Sequence, residues 1–173
     1  PFTYTWISGS GSIVNHTEDF ESGSTNSLYW PNYTGFIGDL CGVYSGTNAM
    51  YFDGSGTRYI SSAPTSLSPN SSISFYLLYG SNSNSCETVD LGDEVSLEYS
   101  LNGSTWYNIN TYSLSTYQNG VYEYISESIP SAAQANNVSI RIIQNNHAGS
   151  GYDNWSLDDL TINFGGGGTT SSN

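Results

Sequence analysis

Positive charge is nearly absent from this chain: 2 Lys and Arg stand against 15 Asp and Glu, giving a net charge of −13 and a pI near 4.1. A field of that sign repels phosphate backbones and anionic bilayers, which excludes nucleic acid as a partner. No apolar run reaches the roughly 18 residues of a membrane-spanning helix, so no membrane span is expected. The opening Pro1–Ile7 also lacks the basic-then-apolar order of a signal peptide. Methionine occurs once, and Lys and Arg together twice, so these three good helix formers are nearly absent and helix should be rare. Histidine occurs twice, at His16 and His147 in unrelated polar stretches, which argues against a transition-metal site. Neither GxSxG nor HExxH is present, and neither His has an evident acidic orienter, so catalysis is not expected. Cysteine also occurs twice, as Cys41 and Cys86, without the CxxC spacing or His pair of a zinc site. A disulfide is the better reading. Closing a loop of about 45 residues would contribute roughly 4 kcal/mol in the chain-entropy picture. Such a bond implies an oxidising, extracellular compartment.

What the chain does have is aromatic and strand-forming. Its 173 residues suit one domain with a sizeable core. Aromatics make up 14%, including 15 Tyr, 4 Trp and 6 Phe, set among Gly, Ser, Thr and Asn, which suits pleated strands and tight turns. Period-two alternation predicts strands over 72–78, 94–99, 121–129, 138–143 and 155–162, with shorter ones over 49–52 and 106–110. Asn102-Gly103 predicts a two-residue hairpin turn between Tyr99 and Trp106. Long polar connections over 80–85 and 145–153 show no helical spacing. The expected architecture is therefore all-β, an antiparallel β-sandwich of the jelly-roll type spanning residues 1–164. Residues 165–173, GGGGTTSSN, read as a flexible linker to neighbouring domains of the same chain, and the module is expected to be a monomer. Six N-x-S/T triplets, at Asn15, Asn32, Asn70, Asn102, Asn137 and Asn154, are about what so Asn- and Ser-rich a chain produces by chance, and they say nothing about glycosylation.

Simple alternation along the last strand puts Asp158 on one face with Leu160, Ile162 and Phe164, while Trp155, Leu157 and Asp159 point the other way. A carboxylate among apolar side chains normally takes a proton, a basic partner or a metal. With only Arg58 and Arg141 available as basic partners, a cation is the more economical answer. Calcium takes six to eight hard oxygens, and Asp19, Glu21, Asp53 and Asp158 are the candidate ligands, alongside loop carbonyls. The competing reading is that Asp53 merely opens a Gly-rich turn and that Glu21 is solvated.

Several segments together carry a family resemblance. TEDFESG at 17–23 with YW at 29–30, CGVYSGTNAMYFDGSGTRYI at 41–60, the second cysteine at 86, VSLEYSLNGSTW at 95–106 and GYDNWSLDDLTI at 151–162 resemble, in that order, the subrepeats of reelin. MAM domains share the DFE and DD endings alone. The resemblance implies a jelly roll similar to carbohydrate-binding modules, with a Cys41–Cys86 bridge and a structural calcium ion near the chain ends. By that likeness Glu21, Asp53 and Asp158 fall where ligands are expected. One departure is that SLNGSTW is a residue shorter than the Asp-box SxDxGxTW of reelin repeats and has Asn102 in place of Asp. Asp-box behaviour is therefore not carried over to Trp106.

Three functions from different classes follow. The first is a non-catalytic, calcium-stabilised module that binds polysaccharide through exposed aromatics. Tyr29, Trp30 and Tyr33 cluster in one polar segment, and Trp106, Tyr107, Tyr112 and Tyr117 follow the hairpin. A flat ring offers a sugar its apolar face. Trp30 is favoured over Trp106 because it lies between Tyr29 and Pro31, in a stretch without strand alternation. The second is an adhesive or structural repeat stiffened by calcium, which would bury the aromatics. The third is a glycan-active enzyme using two of Glu98, Glu123 and Glu127, although alternating glutamates are usually the wet face of a sheet.

Overall fold

A computed structural model describes residues 15–82 and 86–165, and in it every stretch of strong alternation is a strand. In chain order these are β1 (His16–Glu18), β2 (Asn32–Tyr33), β3 (Phe36–Gly38), β4 (Ala49–Phe52), β5 (Arg58–Ser61), β6 (Ser72–Tyr79), β7 (Val95–Ser100), β8 (Tyr107–Thr111), β9 (Glu123–Ser128), β10 (Ser139–Gln144) and β11 (Trp155–Asn163). Helix is confined, among the described residues, to one 3-10 turn at Ser131–Ala133. One sheet runs β3-β4-β11-β6-β9 with β1 also paired to β11, and the other runs β2-β5-β10-β7-β8. All pairings are antiparallel, which makes the fold the expected jelly-roll sandwich.

The alternation decides what lies between the sheets. Ile73, Phe75, Leu77 and Tyr79 of β6 face Val95 and Leu97 of β7 and Ile140 and Ile142 of β10 across one buried core. Each such side chain contributes about 1.5–3 kcal/mol on full burial. Cys41, after β3, is bonded to Cys86, after β6, so two connections at one end of the sandwich are tied together. Arg58, only 1% exposed, forms no ion pair with a carboxylate among the described residues. Its guanidinium donates to the carbonyls of Gly54, Gly149, Tyr152 and Asp153 and to Gln144 Oε1, which anchors the long 145–153 connection to β5 and β10.

Four expectations need correction. In β11 the pairing with β6 shifts between Asp158 and Thr161, where Asp159 sits at φ 48. This bulge inserts one residue, so Trp155 and Leu157 share the core with Leu160 and Ile162, and Asp158 points to the outside of the sheet beside Tyr76. The β7–β8 hairpin exists, but its connection spans residues 101–106, and only Gly103 of the Asn-Gly pair has positive φ. Asn102 Oδ1 instead accepts from the backbone N–H groups of Ser104 and Thr105, which builds a longer side-chain-capped loop. Trp30 is fully buried in the core. Finally, Gly165 is not the start of a linker: it is buried, its N–H donates to Asn163 Oδ1, and a Cβ there would collide with the backbone of Asn70 and Ser71. The rest of the expected linker, 166–173, and the opening Pro1–Ile7 lie outside the described residues, as do residues 83–85 of the first long connection.

Candidate functional site

The outer face of the five-stranded sheet carries a groove that combines an aromatic ring with convergent polar groups. Register places Asn32 of β2, Ser61 of β5, Arg141 of β10 and Glu98 of β7 side by side on a single rung. Their chain neighbours Ile60, Leu97, Ile140 and Ile142 point into the core, so alternation forces these four outward. Tyr59, Thr57, Gly103 and Trp106 complete an open groove of about 370 Å³ with Asn32, Ser61 and Arg141. The Arg141 guanidinium lies 4.1 Å from the centre of the Trp106 ring. It is also bound to Glu98 Oε2, at 2.7 Å from Nε and 2.6 Å from Nη2. The ion pair neutralises both charges and the cation–π contact fixes the ring plane, so the groove offers a pre-set aromatic surface with amide, hydroxyl and phenol groups around it.

The expected ligand-binding aromatics are dispersed. Trp106 lines the groove, and the others do not. Trp30 cannot serve as a platform, because residues 26–30 turn inward: the Trp30 N–H donates to Asn26 O and the Tyr29 carbonyl accepts from Ala63 N. Tyr29 is partly buried and stacks on His16 with ring centres 3.9 Å apart. Tyr33 is exposed but pairs with Ile60, out of step with the groove rung. Tyr107 stacks on Tyr99 at 5.3 Å at the sheet's edge, and Tyr112 is buried against Phe75 and Tyr117. A second recess, between Tyr29, Pro64 and Phe164, measures about 80 Å³. The groove residues that the aromatic count passes over are Asn32, Thr57, Tyr59, Ser61 and Arg141. The pattern SIRIIQ, with one cation on the outward beat between two inward isoleucines, carries the signal for Arg141.

The four candidate metal ligands are not brought to one point. Glu21 and Asp158 converge on the loop at 44–48. The Glu21 carboxylate accepts from the N–H groups of Thr47 and Asn48 and from Thr47 Oγ1. Asp158 Oδ2 accepts from the N–H groups of Tyr44 and Ser45, and its Oδ1 from that of Asp159. Gly46 lies against the Glu21 carboxylate with positive φ, so no side chain fits there. Asp53 lies beyond the other end of β4, whose four residues span about 13 Å. Asp19 is exposed and accepts from the Glu21 N–H. Among the described residues no three His, Cys, Asp or Glu side chains are grouped closely enough to share a metal ion.

The two converging carboxylates differ in their electrostatics. Hydrogen bonds from Asn48 and Thr47 hold the Glu21 carboxyl below its usual range. Asp158 is completely buried, and burial pushes it up to about 6 against the pull of its three N–H donors. No cationic side chain contributes to that balance. Each carboxylate has about four lone-pair positions, and three are used.

The glutamates considered for glycoside hydrolysis are split between the sheets. Glu98 is bound to Arg141 in one, while Glu123 and Glu127 lie on β9 in the other, about 13 Å apart along the strand. Asn110 Nδ2 donates to Glu127 at 2.6 Å.

Comparison with known proteins agrees with this architecture. A family model described as Reelin subrepeat B matches residues 34–163. Among solved structures, the CBM22-1 xylan-binding domain from Paenibacillus barcinonensis Xyn10C is similar at 13% identity, covering 88% of this chain and 95% of that one, with a TM-score of 0.58. The K3 cleaved adhesin domain of Lys-gingipain from Porphyromonas gingivalis is similar at 14% identity, with coverage of 89% and 100% and a TM-score of 0.57. TmCBM61, solved with β-1,4-galactotriose, is similar at 14% identity, with coverage of 86% and 95% and a TM-score of 0.53. At these identities the likeness concerns the fold.

Proposed function

The chain belongs to the Reelin subrepeat B family, and from that membership and the groove on its five-stranded sheet we propose that it is a non-catalytic, extracellular, carbohydrate-binding module. The observation that carries this reading is Trp106, held flat by Arg141 in an open groove rimmed by Asn32, Tyr59 and Ser61. A sugar laid against the free side of such a ring buries its apolar C–H face, while the amide, phenol and hydroxyl groups bond its own hydroxyls. With a net charge of −13, the protein favours neutral glycans over sulfated or uronate-rich ones. The carbohydrate-binding modules that share the fold support the same class of ligand.

Calcium is part of this proposal through Glu21 and Asp158, which would hold it with their remaining lone pairs together with loop carbonyls and water. Bound calcium would neutralise two carboxylates and fasten the 44–48 loop to β11. Its role would be structural, because that loop lies over the six-stranded sheet and the groove over the other.

Titration calorimetry with neutral xylo-, gluco-, manno- and galacto-oligosaccharides tests the reading. At least one series should bind, and Trp106→Ala should weaken it tenfold or more, about 1.4 kcal/mol. Failure of every series would shift the assignment to a calcium-stiffened adhesive or structural repeat.

A further inference from the structure

The recess beside Tyr29 shares none of its lining with the groove. Both layers contribute to it: Tyr29 and Pro64 come from the connections before β2 and after β5, Ile162 from β11 and Phe164 from just beyond it. Leu28, which also lines it, is 79% exposed. The lining is largely carbon, and the hydroxyl of Ser62 within it already accepts from the Ile140 N–H.

The first strand runs directly towards this recess. Antiparallel register sets His16 opposite Ile162 and Thr17 opposite Thr161. Directly opposed side chains share a face of the sheet. His16 therefore points inward with Ile162, and its ring stacks on Tyr29 at 3.9 Å. Thr17 points outward, where its hydroxyl meets that of Thr161 at 2.7 Å. Asn15 is exposed, as the alternation requires of the residue before His16. The described part of the chain starts there, one residue before β1, and fourteen residues precede it, ending in Ile13 and Val14. Counting back from the His16–Ile162 pair, the next inward beat is Val14, opposite Phe164.

We propose that Val14 docks in this recess, so that the chain before β1 closes the side of the sandwich between β11 and the connections at 28–30 and 62–65. Three observations favour this occupant. Register delivers Val14 to Phe164, whose ring lies 6.0 Å from that of Tyr29. The side chain is aliphatic, as the lining demands, and β-branched, which suits extended backbone. It is also tethered two residues from His16, so it competes for the recess at a high effective concentration. Ile13 falls on the opposite beat and faces out. The inference is independent of what the groove binds.

Thermal melts of the full chain carrying Val14→Asp or Ile13→Asp test this. Val14→Asp should lower the melting temperature by about 4 °C or more, while Ile13→Asp should stay within about 1 °C of wild type. Hydrogen exchange separates docking from a general loss of stability: in Val14→Asp, uptake should rise over 28–30 and 62–65 and stay at the wild-type level over β7 and β8. An unchanged melt in Val14→Asp, an equal fall in Ile13→Asp, or uptake that rises uniformly would each overturn the proposal. So would a concentration-dependent dimer in sedimentation that Val14→Asp abolishes, since the recess would then hold the segment of a second copy.

Discussion

Arg141 lies 4.1 Å over the ring of Trp106 while its Nη2 is 2.6 Å from Glu98, so one guanidinium both neutralises a carboxylate and sets the plane of the groove's aromatic surface. Removing it frees the ring and strands Glu98. Arg141→Ala should cost about 1–2 kcal/mol of stability and weaken glycan binding, although Arg141 is not the stacking surface itself. Arg141→Lys should restore charge balance without the planar stack, recovering stability more than affinity. Urea melts and calorimetry on both variants give the two numbers. Equal recovery of both would remove ring positioning from the account.

Trp30 is a core residue, so its replacement should act on folding. Trp30→Ala should lower stability by about 3–5 kcal/mol, as large-to-small changes at buried aromatics do. Trp30→Phe should fold and bind sugar like wild type. A Trp30→Phe protein that folds but no longer binds would return this residue to the ligand site.

Reducing the Cys41–Cys86 bond should lower stability by about 4 kcal/mol, because it releases a loop of 45 residues. Denaturant melts with and without reductant check this. Identical midpoints would show that the bond does not constrain the unfolded chain.

Asp158 gives a signed pH dependence in calcium-free buffer. Its folded carboxyl sits near 6, above its ordinary value of 3.8, so the folded state holds the proton more tightly. Its contribution to stability is therefore greatest at low pH and falls as pH rises from about 4 to about 6, a loss of about 3 kcal/mol that persists above pH 6. Against Asp158→Asn, wild type in chelator should gain stability on acidification from pH 7 to 5. Calcium at pH 7 should raise the wild-type melting temperature by binding only the folded state, and Glu21→Gln should blunt that rise. No response to calcium would leave Glu21 and Asp158 as hydrogen-bonding anchors of the 44–48 loop.

The legible part of this protein was its period-two alternation. β6, β7, β10 and β11 carry long HPHP patterns, and their pairing fixes the sandwich. β1, β2 and β3 span only two or three residues, too few for a period to show. The bulge at Asp159 was hidden for a related reason. Strict alternation across WSLDDLTIN puts Asp158 in the core, and a single inserted residue reverses that. Asp158 is buried all the same, because the 44–48 loop covers it from a distance of 113 residues in sequence. Trp30 shows the matching failure: a polar neighbourhood in sequence says little about whether a turn carries one large ring inward. The groove itself was partly legible, since Trp106 immediately precedes β8 and Arg141 is the lone cation on the outward beat of β10. That the two meet is a property of strand order, which no local pattern encodes.

The central claim is that a neutral glycan binds over Trp106. Affinity electrophoresis of wild type, Trp106→Ala and Trp30→Phe through gels containing xylan, β-glucan, galactan or mannan tests it most directly. Wild type and Trp30→Phe should be retarded together by at least one polymer, while Trp106→Ala runs as it does in an empty gel. Equal retardation of Trp106→Ala and wild type by that polymer would contradict the account.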